Sequence, residues 1–414
     1  MKKPTDNKTR SLAMLFVAMF IAYTYNNIFM IISPLYVFEI GGGMAEAGLQ
    51  GTIYIAAAVL FRFFFGPLAD KQGAKPVMLL GFAAFMLASI LFAGCSETWT
   101  FILLRCIQAL GLAAIFPCGA AVVVALAPLG KQGLFLGFYR LVSFSSLLVG
   151  PTLTLLLVQA SGYTTSSLLL GLFVLVALIL IFLIPKKHFF QPAKSKEVSI
   201  NTEKRTRAIK RSKEDNLIKI MCNTFLENPV IIGGVIASVF AAALGYGLLI
   251  NFAVPYLDNI FPDSNSGLFF TMIGLGGLTA APLAGWASDK LDNRLLLAVS
   301  FLFLGMGISF LGLYSSELVA FFLSGFLAGF GYSGVTTSVL SIIAERIKPQ
   351  YHASALSLQQ NGIDIGIAFA SGGFGIIFGM VQGQSSVFLF HGILTFVIGT
   401  ALFIAVFALA RKTR

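Results

Sequence analysis

Long apolar stretches recur along this chain of 414 residues, and short polar segments separate them. A membrane-spanning helix needs about 20 consecutive residues that are mostly apolar, and twelve stretches are long enough. Glycines are spread through these stretches, which disfavours the alternating pattern of a β-barrel strand. The pattern predicts an all-α polytopic membrane protein. The predicted spans are 11–38, 46–67, 75–95, 99–127, 133–159, 164–185, 229–256, 266–287, 294–313, 317–344, 353–380 and 386–410.

A polar, Lys-rich stretch at residues 194–216 divides the spans into two groups of six. Gly66 and Asp70, at the end of span 2, recur as Gly285 and Asp289 at the end of span 8, with the same offset of 219 residues. Matching positions at one offset indicate a duplicated six-helix unit. We therefore expect an N-terminal six-helix bundle, a cytoplasmic basic linker and a C-terminal six-helix bundle, at residues 1–185, 186–228 and 229–414.

Composition agrees with a membrane protein, since 57% of the residues are hydrophobic and 11% are charged. A soluble domain carries about 25% charged residues, so a soluble enzyme and a disordered chain are both excluded.

The four cysteines form no disulfide framework. The cytoplasmic segments contain no Walker A pattern, Cys/His metal cluster or G-x-S-x-G motif. We expect no enzymatic activity, no cofactor and no metal.

Most of the 28 Lys and Arg residues lie on one side of the predicted membrane. Twenty-five lie on or beside one face and three lie within spans, whereas the charged residues of the opposite loops are all acidic. The positive-inside rule then predicts cytoplasmic termini and a cytoplasmic central loop. The net charge of +11 belongs to this inner face and predicts no nucleic-acid partner.

The basic run 204–213 either lies on anionic lipid headgroups or is an ordinary positive-inside linker. We expect a monomer in the lipid bilayer of the cytoplasmic (inner) membrane.

The segment Gly66-x-Leu68-Ala69-Asp70-Lys71-x-Gly73-Ala74-Lys75 resembles the loop signature between helices 2 and 3 of the major facilitator superfamily. Ala74 replaces the usual basic residue. A degenerate copy covers residues 285–294, and Arg105-x-x-Gln108-x-x-Gly111 resembles the family's helix 4 motif. The resemblance implies the major facilitator fold, with two pseudo-symmetric bundles, and a transporter like the bacterial drug or small-molecule proton antiporters.

The resemblance also implies that Asp70 bonds the start of span 11 in the outward-facing state. A carboxylate is favoured at a helix N-terminus by exposed N–H groups and the helix dipole. The alternative is a merely soluble turn. Asp289 and Lys290 are expected to play the equivalent role in the second half of the chain, more weakly. The candidate latch residues are Gly66, Asp70, Lys71, Gly73, Lys75, Gly285, Asp289 and Lys290.

Four ionisable residues lie within the spans: Arg62, Arg105, Arg140 and Asp364. Placing a charged side chain at that depth costs at least about 2.5–3.5 kcal/mol of free energy, so each of the four residues is a functional candidate. Arg62 either snorkels to the cytoplasmic side or pairs with an acid of span 11. The family resemblance implies that Arg105 lines the cavity and takes part in proton coupling. Span 1 lacks the central acid that many proton-coupled exporters of the family place there.

Asp364 is the alternative proton site, because it lies near the midplane of span 11. Gln360 and Asn361 share its helix face. Asp364 either binds a proton in one state, pairs with Arg62 or Arg105, or contacts substrate. Arg140 either holds an anionic group, lowers the proton affinity of a nearby acid, or snorkels towards the cytoplasm.

We expect a secondary transporter whose small-molecule site lies between the two halves, with proton-coupled efflux of a small amphipathic or organic compound. Three intramembrane arginines against one aspartate keep open the transport of an organic anion, such as a carboxylate metabolite or a metal chelator. A non-transporting receptor or scaffold is a third alternative, and such a protein would not need charged residues at the membrane midplane. Asp364 and Arg105 are the proton-coupling candidates. The substrate-binding candidates are Tyr23, Asn26, Asn27, Gln108, Arg140, Tyr246, Asn251, Tyr332, Gln360 and Asn361.

Overall fold

The computed structural model describes residues 4–189, 217–260, 267–313, 318–380 and 384–412, and the described residues contain helices and no strands. The whole Lys-rich stretch at residues 194–216, including the basic run 204–213, lies outside the described residues. The helices are α1 (Pro4–Glu39), α2 (Met44–Gln72), α3 (Ala74–Ala93), α4 (Thr98–Leu126), α5 (Gln132–Leu183), α6 (Leu217–Glu227), α7 (Pro229–Ile260), α8 (Gly267–Ser288), α9 (Asn293–Leu313), α10 (Leu318–Arg346), α11 (His352–Met380) and α12 (Gln384–Lys412).

Twelve helical segments among the described residues are long and apolar enough to cross a membrane. They confirm the predicted all-α membrane protein. Helix α5 contains two of these segments, Gln132–Gly150 and Ala160–Leu183. Its backbone leaves helical geometry at Gly162, with φ 70° and ψ 175°. Glycine adopts this positive φ without a steric penalty, which allows the chain to turn near the start of the second segment.

The outward-facing side chains of the helices are apolar. Leu103, Phe182, Phe369 and Phe390 are each more than 60% exposed. Water would make such a surface unstable, whereas lipid tails solvate it well. The helices satisfy their own backbone hydrogen bonds, which is the requirement for crossing a bilayer. The chain is therefore a multi-pass membrane protein.

The chain divides into two compact units. The first unit contains Met1–Ala127, Val149–Ile232 and Arg346–Leu358. The second contains Pro128–Leu148, Gly233–Glu345 and Gln359–Arg414. Each unit thus includes one short segment from the opposite half of the sequence. The expected bundles at 1–185 and 229–414, with the linker 186–228, remain a prediction.

Close helix packing in the second unit depends on glycine. A Cβ atom at Gly305 would lie in contact with the Phe396 backbone, and one at Gly392 would meet the backbone of Ser309. Both contacts bring α9 against α12. Small residues let helix backbones approach closely. The resulting van der Waals contacts hold the helices together in lipid, where no hydrophobic effect drives their association.

Helix α6 was not predicted, although it lies within the expected basic linker. Ile220 and Thr224 are buried on one face, whereas Phe225 and Leu226 are exposed. The spacing of four between the buried residues is that of a helix with one packed face. This short helix ends at Glu227, whose carboxylate accepts hydrogen bonds from Lys348 Nζ at 2.6 Å and from the Tyr351 hydroxyl at 3.0 Å.

Candidate functional site

The carboxylate of Asp70 caps the N-terminus of α11 within the first unit. Its Oδ1 accepts the Ala353 N–H at 2.9 Å, and its Oδ2 accepts the Ser354 N–H at 2.8 Å and the Ser354 hydroxyl at 2.5 Å. The first N–H groups of a helix have no partner within the helix, and the helix dipole favours an anion there. We call this arrangement the first cap.

The second unit contains an equivalent arrangement, which we call the second cap. The carboxylate of Asp289 accepts the Gly133 N–H at 2.7 Å and the Leu134 N–H at 2.9 Å. These N–H groups belong to the first turn of α5. The capped residues of α5 and α11 differ by 220 positions, close to the offset of 219 between the two aspartates. The duplication seen in the sequence therefore reappears in the geometry of the two caps.

Glycine brings the capped helix close to its partner in both places. A Cβ atom at Gly66 would lie 2.7 Å from the Ser357 Oγ and 3.0 Å from the Ser354 Cα. A Cβ atom at Gly285 would lie 2.5 Å from the carbonyl oxygen of Gly133 and 2.9 Å from the Cα of Gly137. No larger residue fits either position without displacement of its neighbours. The two glycines thus set the distance at which the aspartates reach the helix ends.

The lysines of the sequence motif have other immediate partners. Lys75 donates to the carbonyls of Phe182 and Ile184, at 2.7 and 2.5 Å, and so caps the C-terminus of α5. A cation there is favoured by the helix dipole. Lys290 lies 4.1 Å from the centre of the Trp286 ring, in a cation–π contact. Lys71 is half-buried near the end of α2.

Gly73 links α2 to α3 with φ 91° and ψ 153°. Residues with a side chain rarely adopt this positive φ, so glycine is needed for the tight connection. The connection places Asp70 and Lys75 on successive helices, where each caps the end of a different helix. The loop signature thus builds a short rigid turn with two capping side chains.

A buried polar cluster surrounds Arg105 in the first unit. The guanidinium donates to the Gln108 side chain and stacks over the Tyr54 ring, 4.0 Å from its centre. The Tyr54 hydroxyl donates to Asn26 Oδ1. Arg105 and Gln108 are both fully buried. We call these residues the Arg105 cluster.

Sequence reasoning missed two members of this neighbourhood. Tyr54 lies on α2, and Ser89 lies on α3, where its hydroxyl bonds the Tyr25 hydroxyl at 2.9 Å. The Tyr25 hydroxyl in turn donates to the Phe85 carbonyl. A tyrosine in a buried position needs a partner for its hydroxyl. That rule could have marked Tyr54 as a candidate.

A second polar cluster lies in the second unit around Tyr332. Its ring stacks parallel on Tyr246, with 3.9 Å between the ring centres. Both Arg140 and Asp364 act electrostatically on the Tyr332 hydroxyl. Gln360 Nε2 donates to Asp364 Oδ1 at 3.2 Å. We call these five residues the Asp364 cluster.

The members of the Asp364 cluster lie at the middle of their spans. Asp364 is the sixteenth of the 30 residues of its span, Arg140 the ninth of 19, and Tyr332 the fourteenth of 28. Arg140 and Asp364 are each 9% exposed. Arg140 therefore does not snorkel to the cytoplasm, and neither does Arg62, which is fully buried. A cation, a phenol and a carboxylate share a poorly solvated environment here.

The remaining substrate candidates are divided between the two units. In the first unit, Tyr23 packs on Phe116 at 4.4 Å between ring centres, and Asn27 lies next to Gly150. In the second unit, Asn251 Nδ2 donates to the Gly247 carbonyl of its own helix, and Asn361 is buried. The structure thus assigns the predicted liners to two separate sets.

The two clusters differ in the chemistry that they can perform. The Arg105 cluster consists of a cation, amides and phenols, none of which gains or loses a proton easily near neutral pH. The Asp364 cluster includes a carboxylate that can change its charge. Among the described residues, no group of three or more His, Cys, Asp or Glu side chains could hold a metal ion.

Within the described residues, twelve apolar membrane-spanning segments, two capped helix ends at equivalent positions and ionisable groups at mid-span define a polytopic membrane transporter. The chain belongs to the Major Facilitator Superfamily, whose sequence profile matches residues 15–238 and 235–414. This is a family of transporters and not of enzymes.

The chain is also similar to individual bacterial proteins. It is 25% identical over 361 residues to the multi-drug resistance efflux pump PmrA homolog of Lactococcus lactis, covering 85% of this chain and 84% of that protein. It is 27% identical over 320 residues to the multi-drug resistance efflux pump PmrA of Streptococcus pneumoniae, covering 75% of each.

Solved structures show the same fold. The crystal structure of the human organic anion transporter MFSD10 matches with a TM-score of 0.72 at 15% sequence identity. The match covers 97% of this chain and 100% of that chain. At this identity the likeness establishes the major facilitator fold alone, which confirms the expectation from the loop signature.

Proposed function

We propose that this protein is a proton-coupled efflux transporter for small amphipathic or organic compounds, which works by alternating access in the cytoplasmic membrane with both termini in the cytoplasm. The Asp364 cluster carries this proposal. The similarity to proteins named multi-drug resistance efflux pumps supports the direction of transport.

The charge of Asp364 affects the groups around it, so proton binding at Asp364 can change the conformation of the protein. We infer that the ionised carboxylate offsets part of the Arg140 charge, since both groups act on the same Tyr332 hydroxyl. Protonation removes this offset and makes the Arg140 charge more costly at mid-span. A state that gives Arg140 another neighbour or more water then becomes favoured. A ligand shifts a conformational equilibrium only through such a difference between states.

The helices that carry the two charges are the helices that the aspartates cap. Asp70 caps α11, which carries Asp364, and Asp289 caps α5, which carries Arg140. A change of charge at mid-span therefore acts on the same two helices whose ends the caps hold. Release of the caps at one end and rearrangement of the charges can then belong to a single conformational step.

The test uses purified protein reconstituted in liposomes with an imposed pH gradient, and it measures ethidium movement. Wild-type protein should move ethidium, and Asp364→Asn should abolish the dependence on the gradient. Asp364→Glu, which keeps a titratable group, should retain part of it. Asp292→Asn is the matched control, because Asp292 is an exposed aspartate that pairs with the exposed Arg294 side chain.

Two results would overturn the proposal. Unchanged pH dependence in Asp364→Asn would remove Asp364 from coupling. Failure of wild-type protein to move either ethidium or a carboxylate such as citrate would overturn the proposed substrate class.

The Arg105 cluster favours a second candidate, the transport of an organic anion. Among the described residues, neither Arg105 Nε nor Gln108 Nε2 has a hydrogen-bond partner, although both atoms are buried. Buried donors without acceptors are costly. A carboxylate would satisfy both, since guanidinium nitrogens match carboxylate oxygens in geometry.

The anion candidate has its own measurement in the same liposomes. Citrate uptake or release should fall at least about tenfold in Arg105→Lys, because lysine keeps the charge and loses the planar fork. Wild-type protein that moves ethidium and no citrate would exclude the anion candidate. Unchanged citrate transport in Arg105→Lys would exclude Arg105 from the anion site.

A further inference from the structure

A pocket in the first unit lies at the end of the helices opposite the first cap. Helix α1 finishes at this end, whereas α2 finishes at the end that holds Asp70. The pocket has a volume of about 330 Å³, which is within the range of small-molecule sites. Its lining residues come from the ends of α1 and α3 and from the turn of α5 at Gly162. They are Tyr36, Glu39, Ile40, Ala93, Gly94, Cys95, Ser96, Tyr163 and Thr164.

Aromatic rings form one side of this pocket. The Tyr36 and Tyr163 rings lie 5.4 Å apart at an angle of 46°. Tyr36 is held in place by its hydroxyl, which donates to the Cys95 carbonyl, and by an edge-to-face contact with Phe101 at 5.2 Å. The two phenol rings are therefore presented in a fixed arrangement.

The charge of the pocket is negative. Glu39 is exposed, and its carboxylate acts electrostatically on both Tyr36 and Tyr163. The sequence has no Lys or Arg at 11–61, 76–104 or 141–185, which are the segments that build this end of the unit. No basic residue in these segments can neutralise Glu39, so the pocket attracts cations.

We propose that this pocket binds an organic cation of the quaternary ammonium or phosphonium type. Such a cation cannot donate a hydrogen bond, so it is recognised by aromatic faces and by an opposite charge. The pocket supplies two tyrosine rings and one carboxylate. This site goes beyond the proposed transport function, since it does not require Asp364 or any coupling to protons.

The test measures reaction rates at the pocket itself in purified protein. Thr164 is exposed and lines the pocket, so Thr164→Cys introduces a reporter thiol there. Cys95→Ala and Cys222→Ser remove the native thiols in the pocket and on the exposed face of α6. The cationic reagent MTSET and the anionic reagent MTSES are compared by mass spectrometry of the modified peptide. The ratio of the MTSET rate to the MTSES rate should exceed the ratio measured with free cysteine at least about tenfold, because the local potential concentrates cations.

Two further measurements identify the ligand class. Tetraphenylphosphonium should protect the thiol from modification in a saturable manner. Glu39→Gln should return the rate ratio to near the free-cysteine value and weaken protection. Tyr163→Leu should weaken protection and leave the rate ratio unchanged. Glu46→Gln is the matched control, since Glu46 is an acidic residue at the same end of the unit that does not line the pocket.

A rate ratio in the Thr164→Cys protein equal to that of free cysteine would overturn the proposal, as would the absence of protection at millimolar tetraphenylphosphonium. Protection that persists in Glu39→Gln would assign the binding to another place. An Asp364→Asn protein that loses coupling and keeps protection would separate this site from the transport function.

Discussion

The two caps use the same carboxylate at equivalent positions, yet they differ in how each contact is made. Asp70 accepts three hydrogen bonds, one of them from the Ser354 hydroxyl, and Asp289 accepts two. The difference arises because Leu134 occupies the position that Ser354 holds in the first cap. The first cap therefore depends more on its aspartate.

The contacts of the two glycines differ in the opposite direction, because those of the second cap are the tighter ones. The atom nearest to a Cβ at Gly66 is a serine hydroxyl, which can rotate away. The nearest atoms at Gly285 belong to the backbone of Gly133 and Gly137, which cannot move without the helix. The second cap therefore depends more on close backbone packing. A duplicated unit has kept one geometry while the stabilising contacts were redistributed within it.

Asp70→Asn should give the largest effect. The amide retains one acceptor and turns an NH₂ group towards an N–H donor, and hydrogen bonds to charged groups contribute about 1.5–3 kcal/mol each. Amide exchange at Ala353 and Ser354 should accelerate about a hundredfold, measured by hydrogen–deuterium exchange with mass spectrometry. In Asp289→Asn the acceleration should move to Gly133 and Leu134. Continued protection at Ala353 in Asp70→Asn would show that the cap does not hold α11.

Gly285→Ala should be more destabilising than Gly66→Ala. Insertion of a methyl group against backbone costs about 1–3 kcal/mol, because the helix must shift. The same methyl group at Gly66 meets a movable hydroxyl and should cost less. Thermal unfolding of the two variants in detergent compares them directly. Equal losses would mean that both caps tolerate the same displacement.

Ser354→Ala should reduce the first cap to the form of the second. Loss of one hydrogen bond from an N-terminal turn costs about 1 kcal/mol. Exchange at Ala353 should then rise about fivefold, well below the effect of Asp70→Asn. The reciprocal variant, Leu134→Ser, should slow exchange at Gly133. An unchanged rate in both variants would show that the hydroxyl does not account for the difference.

Glu227→Gln should give the smallest effect, because the Lys348 side chain is 63% exposed and surface ion pairs contribute about 1 kcal/mol or less. The hydrogen bond from Lys348 lowers the pKa of the Glu227 carboxyl. A lowered folded-state pKa stabilises the folded protein above the unfolded-state pKa, and this contribution disappears as the pH falls through the folded-state value. Wild-type protein should therefore unfold at a higher temperature than Glu227→Gln at pH 7. The difference should vanish near pH 3, and a difference that persists there would exclude the ion pair as its cause.

The sequence anticipated the first cap more fully than the second. The loop signature marked Asp70, and the resemblance named the start of span 11 as its partner. The offset of 219 then marked Asp289 as an equivalent residue, but no motif named Gly133 and Leu134. Backbone N–H groups are present in nearly every residue, so a pattern of side chains cannot show which helix end receives a carboxylate.

The charged residues at mid-span give a similar comparison. Their positions in the sequence identified Asp364 and Arg140, since a charge inside an apolar stretch is conspicuous. The sequence considered Arg62 and Arg105 as partners of Asp364. The structure groups Asp364 with Arg140 and Tyr332 in the second unit, and the pairing of Asp364 with Arg62 or Arg105 stays a prediction. Helical periodicity gives the face on which a residue lies, and it does not give the helix that packs against that face.

The sequence by itself determined the class of this protein, its number of spans and its internal duplication, because apolar length and repeated motifs are properties of the chain alone. The tertiary structure decided which helix ends the aspartates cap, and it grouped Arg140, Tyr332 and Asp364. It also formed the pocket of Tyr36, Glu39 and Tyr163 from residues far apart in the chain. These features depend on distances between helices, which arise only when side chains of different segments pack together.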